Sequence, residues 1–136
     1  PLYSSAASDV YKRQILIRGR VAHAELVATL QSARAFVYAA EEDFGIGMVE
    51  AQACGTPLLS YARGGAADIV TDGETGVLFR EQSAEAIIDA VQRFESLPIA
   101  PEACRANAER FSEQAFRTKL HDAIARAAAA RGMRLP

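Results

Sequence analysis

The residues with most chemistry to offer stand together in one stretch, Glu41-Glu42-Asp43-Phe44-Gly45-Ile46-Gly47, with Glu50 one turn further on. Three acids precede two glycines at what reads as a helix start. Glycine lets the backbone approach a ligand closely. The first N–H groups of a helix lack intrahelical partners and carry partial positive charge, which suits a phosphate. Carboxylates repel a phosphate but accept charge-assisted hydrogen bonds from neutral hydroxyls. A loop with anion donors on its backbone and hydroxyl acceptors on its side chains fits a sugar joined to a nucleotide diphosphate. From spacing alone the plainer reading is favoured: Glu41, Glu42 and Asp43 answer the helix dipole as first-turn acids.

The surrounding pattern predicts the elements that place this loop. Ile15-Leu16-Ile17, ended by Gly19, reads as a short buried strand. From His23, Leu26, Val27, Leu30 and Ala33 fall at helical spacing. Ala35–Ala39 reads as strand, then the acidic loop, then a helix through MVEAQAC that Gly55 ends as a C′ residue. Leu58–Tyr61 is the next strand, and Gly64-Gly65 opens a short helix as far as Val70. That glycine pair serves equally as a second wall of a ligand site or as a point of close packing. Asp72-Gly73 marks a turn before the strand Val77–Phe79. Ser83 is a good N-cap for a helix with the stripe Ile87, Ile88, Val91 and Phe94 and an Asp89–Arg93 pair on its wet side. A helix over 102–111 follows, then one from Ser112 with Phe116, Leu120, Ala123, Ile124 and Ala127 on one face, fraying from Ala128. Strands that are continuous apolar runs, alternating with helices, indicate a doubly wound α/β fold with a parallel sheet covered on both faces. Such sheets bind ligands at the carboxyl ends of their strands, which directs attention to the loop after Ala39.

The stretch EEDFGIGMVEAQACGTPLLSYARGGAADIV resembles the donor-binding signature of GT-B glycosyltransferases of family 4, the glycosyl transferases group 1 set. Its hallmark is two glutamates separated by seven residues, here Glu42 and Glu50. GRV at 19–21, SARAFVYAAEEDFG, EAQACGTP, the glycine pair and DGETGVLF fall in the family's order, so the likeness runs from about Ile15 to Phe116. It outweighs the plainer reading for both glutamates. EEDFGI, EAQACGTP and NAERFS further resemble the mannosyltransferase-like subset of bacterial polysaccharide assembly, which uses GDP-mannose. Gly47-Met48 departs from that subset, where a larger apolar residue and then proline often stand.

The resemblance implies that Glu42 contacts hydroxyls of the donor sugar and is the catalytic position. It implies that Glu50 binds the ribose, with Asp43, Phe44, Gly45 and Ile46 around the diphosphate and sugar and Arg20 and Val21 bordering the base. It implies a partial Rossmann-like sheet, a fragment of the C-terminal GT-B domain, with C-terminal helices. Residues 15–96 would be the nucleotide-sugar-binding part and 97–136 a helical extension. The family reaction is retaining hexosyl transfer to an acceptor hydroxyl, without cofactor or bound metal, on a glycan or lipid-linked acceptor held by another domain. No Lys or Arg matches the family's basic pair that neutralises the leaving diphosphate, Lys12 and Arg13 lying in the leader, so the fragment alone is expected to be inactive.

Composition excludes other classes. With 136 residues, 15 basic and 17 acidic, the chain has no basic surplus for nucleic acid, and 50% apolar content is wrong for disorder. No apolar run reaches the roughly 18 residues that a membrane span needs, leaving only peripheral membrane association of a parent protein. Cys54 and Cys104 form no disulfide framework and read as small apolar residues, consistent with a cytoplasmic setting. His23 and His121 have no ligand partners at metal spacing. Residues 1–14, PLYSSAASDVYKRQ, lack helix or strand periodicity and resemble a translated sequencing-adapter remnant, so they are set aside as a non-native leader. A sugar-nucleotide epimerase fragment and a non-catalytic α/β interaction or nucleotide-binding module are the rival readings.

Overall fold

Leu58 and Leu59 are adjacent on one strand and both are buried, which requires cover on both faces of the sheet. The computed structural model, which describes residues 15–133, supplies it. Three parallel strands, β1 (Phe36–Tyr38), β2 (Leu58–Tyr61) and β3 (Gly76–Phe79), lie in the order β1-β2-β3. The register sets Phe36 beside Leu58 and Leu58 beside Gly76. One core contains Leu30, Met48, Ala51, Leu58, Ala66, Ile69 and Val70. It joins one face of the sheet to α1 (His23–Ser32), α2 (Ile46–Ala53) and α3 (Gly65–Ile69). On the other face Leu59, Val77 and Phe79 pack with Ala90 of α4 (Ala84–Glu95). The chain then continues through α5 (Pro101–Ala108), a 3₁₀ turn over Glu109–Phe111, and α6 (Glu113–Ala129). This is the expected α/β architecture.

Local chemistry accounts for the boundaries. The Gly55 N–H donates to Gln52 O at 2.8 Å and the Thr56 N–H to Ala51 O at 3.0 Å, with Gly55 at φ 89°. This pairing closes α2 as a Schellman motif. The Ser83 hydroxyl accepts from the Ala86 N–H at 3.1 Å, the expected N-cap, and Ser112, the expected start of the last helix, caps it by accepting from the Ala115 N–H at 3.3 Å. Ser83→Ala should cost about 1 kcal/mol in urea denaturation. No loss would mean that water replaces the cap at no cost.

Buried amides join α5 to the sheet layer. Asn107 Nδ2 donates to Gln52 Oε1 and, at 2.6 Å, to Ile69 O. Gln52 Nε2 in turn donates to Thr75 O at 3.3 Å. Asn107 Oδ1 accepts from Arg110 at 2.6 Å.

The outer side of β3 is closed by its own preceding turn. Gly76 and Leu78 direct their backbone groups away from β2. The Gly76 carbonyl accepts from the Gly73 N–H at 2.8 Å, and the Leu78 N–H donates to Asp72 Oδ1 at 2.9 Å. Arg93 holds the other Asp72 oxygen at 2.9 Å. Burial pushes the Asp72 carboxyl up, but the Arg93 and Leu78 hydrogen bonds and the Arg93 and Arg80 charges leave it below its ordinary value. A depressed carboxyl stabilises the fold above its unfolded pKa, so this contact weakens as pH falls through the folded value.

Several expectations are corrected. Ile15, Leu16 and Ile17 are irregular and exposed (66%, 72% and 94%), because no ladder partner reaches them among the described residues. Arg93 pairs with Asp72, not Asp89, since Asp72 is already fixed by the Leu78 N–H. Ile88 is exposed while Ile87, Val91 and Phe94 pack on the core. The 102–111 helix begins at Pro101 and tightens to 3₁₀ from Glu109. On α6 the face carrying Phe116, Leu120, Ala123, Ile124 and Ala127 is exposed, whereas Ala115 and Ala125 are half-buried and Ala128 is buried. The end of α6 does not fray at Ala128. Gly132 turns at φ 69° and donates to Ala129 O at 3.0 Å, while the Met133 N–H donates to Ala128 O at 2.9 Å. The expectation for residues 1–14 falls outside the described residues. No described helix is long and apolar enough to cross a membrane.

Candidate functional site

Three loops leave the carboxyl ends of β1, β2 and β3, and they are tied to one another. The Gly65 N–H, at the start of α3, donates to Glu42 O at 2.7 Å. Gln82 Nε2, from the loop after β3, donates to Ala39 O at 2.7 Å. The β1–α2 loop is therefore gripped from both neighbouring connections. The glycine pair makes this possible by close packing. A Cβ on Gly64 would lie 2.2 Å from Glu42 O, and one on Gly65 would lie 2.0 Å from Phe44 O.

Gly45 turns the loop into α2. It is buried, has φ 82° and ψ 54°, and is the N-cap. An L-residue adopts that conformation only with strain. The turn leaves the Ile46 and Gly47 N–H groups without intrahelical partners at the carboxyl edge of the sheet. Around Gly47 there is open space for a side chain, since nothing lies within 4 Å of a Cβ built there. Phe44 is half exposed and meets the Phe111 ring edge-to-face at 6.1 Å, so the 3₁₀ turn supports the loop from below.

The expected site residues divide into two groups. Glu41, Glu42, Asp43, Phe44 and Ile46 are exposed on the loop or first helical turn. Glu50 is exposed on α2 and borders an apolar groove of about 170 Å³ with His23, Leu26, Val27, Leu30 and Ala53. Arg20 (exposed) and Val21 (half-buried) lie in the irregular segment leading into α1, the other wall of that groove, and not at the end of a strand. No hydrogen bond joins Glu42 to Glu50 among the described residues; α2 spaces them. The loop and the helix start that follows it thus offer carboxylate acceptors and N–H donors without intrahelical partners, and the groove offers an apolar surface edged by one carboxylate.

Sequence reasoning passed over three supports: Tyr38, Gln82 and Phe111. The Tyr38 hydroxyl donates to Glu42 Oε2. That hydrogen bond, then burial and the Glu42 charge, hold the phenol above its ordinary pKa. A hydroxylated aromatic as last residue of an apolar strand, four positions before the first hallmark glutamate, was the available signal.

A family model described as "Glycosyl transferases group 1" matches residues 2–111. The chain is 43% identical over 70 residues to a D-inositol 3-phosphate glycosyltransferase of Corynebacterium aurimucosum, covering 51% of this chain and 17% of that protein. It is 42% identical over 52 residues to a glycogen synthase of Pseudomonas aeruginosa, covering 38% and 10%. Among solved structures, the sucrose-phosphate synthase from Thermosynechococcus elongatus superposes with a TM-score of 0.70 at 26% identity, over 92% of this chain and 33% of that one. The chain therefore spans about a sixth of the first of these relatives and a third of the solved structure. On the family match over residues 2–111 the chain belongs to the glycosyl transferases group 1, with the GT-B type of α/β fold.

Proposed function

We propose that the chain supplies the donor-binding part of a retaining glycosyltransferase that moves a hexosyl group from a nucleotide sugar to an acceptor hydroxyl. One observation carries this reading. Gly45, in the left-handed conformation, starts α2 so that the Ile46 and Gly47 N–H groups have no intrahelical partner, just after the loop that carries Glu42 at the carboxyl edge of a parallel sheet. Diphosphate oxygens suit those donors, and sugar hydroxyls suit Glu42. In this reading Phe44 and Gly45 complete the diphosphate cradle, Asp43 lies on the sugar side with Glu42, Glu50 takes the ribose hydroxyls, and Arg20 and Val21 border the base. The transfer step so described uses no bound metal. The finer reading is mannosyl transfer from GDP-mannose to a glycan or lipid-linked acceptor in bacterial polysaccharide synthesis. It is supported by the likeness of EEDFGI, EAQACGTP and NAERFS to that subset, while the relatives named above carry other products and acceptors in their names.

The test is calorimetric titration of the 136-residue chain with GDP-mannose, UDP-glucose and ADP-glucose, each against its bare nucleoside diphosphate. Binding should be weak and selective for one base. Glu50→Ala should weaken nucleotide and nucleotide sugar alike, on the order of ten- to a hundredfold, the worth of a charge-assisted hydrogen bond. Glu42→Ala should spare the bare nucleotide and remove the extra affinity due to the sugar. Equal effects of the two changes on both ligands would overturn the division of roles. Transfer itself needs the acceptor held against the donor, a contribution of roughly 7–11 kcal/mol to the barrier. The chain alone is accordingly expected to bind donor without transferring it, and Glu42-dependent transfer from labelled GDP-mannose would contradict this.

A further inference from the structure

Glu42 is held at two places by two different elements. Its carbonyl oxygen accepts the Gly65 N–H at 2.7 Å, and its Oε2 accepts the Tyr38 hydroxyl. The phenol is not a free side chain that happens to reach the loop. Its ring stacks on Phe36 at 6.2 Å and 16° and packs, half-buried, against the core on that face of the sheet. Ring and strand together fix the hydroxyl at the carboxyl end of β1. With Oε2 taken, Oε1 makes no other hydrogen bond among the described residues and stays available to a ligand.

Resting on the donor-site reading above, we propose that Tyr38 is a positioning residue for Glu42. It orients the carboxylate so that one oxygen is anchored to the sheet and the other faces the donor sugar. An exposed glutamate in a loop otherwise samples many rotamers and loses that freedom on binding, which lowers affinity for whatever it grips. The anchor removes that loss beforehand. A phenol suits the task because it donates without adding a charge, so the carboxylate stays negative and its second oxygen can still accept from hydroxyls.

Tyr38→Phe keeps the ring, its stack on Phe36 and its place in the core, so folding should be preserved; thermal unfolding checks this. The first measurement needs no ligand. The chain has four tyrosines, and the ultraviolet difference titration of wild type against Tyr38→Phe isolates this phenol. It should ionise above the ordinary tyrosine range and move down in Glu42→Gln, where the carboxylate charge is gone. The second measurement is the affinity ratio between a nucleotide sugar and its bare nucleoside diphosphate, using GDP-mannose with GDP and UDP-glucose with UDP. Tyr38→Phe should cut that ratio roughly tenfold while leaving bare nucleotide affinity unchanged. In a Glu42→Gln background the same change should have little further effect. A phenol that titrates identically in wild type and Glu42→Gln, or an unchanged affinity ratio in Tyr38→Phe, overturns the positioning role. No nucleotide sugar binding to the wild-type chain overturns the donor reading, and with it the purpose assigned to Tyr38. The titration alone then reports whether phenol and carboxylate are joined.

Discussion

Gly65→Ala is expected to destabilise the fold by roughly 3 kcal/mol, near the upper end for overpacking, and to lower the midpoint of thermal unfolding by about 10 °C. The added methyl would sit 2.0 Å from Phe44 O, 2.6 Å from its carbonyl carbon and 2.9 Å from its Cα. All three are backbone atoms, so no side chain can swing aside. Either α3 lifts or the β1–α2 loop moves, and the Gly65–Glu42 hydrogen bond breaks in both cases. Donor affinity should therefore fall with stability. Gly64→Ala should cost at least as much, because φ of 57° with ψ of −144° adds backbone strain of roughly 1–3 kcal/mol to a 2.2 Å approach on Glu42 O. Ala67→Gly, exposed on the same helix, is the control and should cost about 1 kcal/mol from propensity alone. If Gly65→Ala lost no more than that control, the loop would be free to yield and the glycine pair would have no part in holding it.

A second large effect is expected at Asn107, deep between α5 and the sheet layer. In Asn107→Leu, Gln52 Oε1 and Ile69 O lose their donor while remaining buried. Each abandoned acceptor costs roughly 1–3 kcal/mol, so a total of about 2–6 kcal/mol should appear in urea denaturation. Adding Gln52→Leu should recover part of the loss, since the double variant buries neither amide. The two single changes would then combine to less than their sum, by roughly 1 kcal/mol or more. Strict additivity would show that the two amides do not depend on each other.

Much of this arrangement was legible in the sequence, and the reasons are local. Ser83, Ser112 and Gly55 signal helix ends because their chemistry acts on backbone groups within four residues. Leu58–Leu59 signals a strand covered on both faces because neither leucine can be left in water. The acidic loop could be placed because it follows such a strand and precedes a helix. Most of the rest depends on partners remote in sequence or on how the loops fold back. Ile15–Ile17 has a strand's composition, but composition demands burial without naming a ladder partner. Arg93 had Asp89 one turn away, yet an exposed i,i+4 pair is worth only tenths of a kcal/mol, and the prearranged Asp72 carboxylate wins. On α6 the large apolar residues suggested the inner face, while the least exposed residues are alanines, small enough for close approach. Tyr38 sits only four residues from Glu42, but in the sequence it is one more residue of an apolar strand. Its hydroxyl acquires a purpose only when the loop folds back over the end of β1.

The turn at Asp72-Gly73 has a consequence for how this sheet can be extended. Two of the outward hydrogen-bonding groups on β3, the Gly76 carbonyl and the Leu78 N–H, are already engaged within the chain. An added strand on that side would have to displace a carboxylate that Arg93 also holds. β1 has no such guard among the described residues. The two sides of the sheet are thus unequal: a further strand meets fewer prior hydrogen bonds beside Phe36–Tyr38 than beside Gly76–Phe79. Growth on that side places the newcomer next to the strand whose last residue is hydrogen-bonded to Glu42, so a strand added there borders the acidic loop.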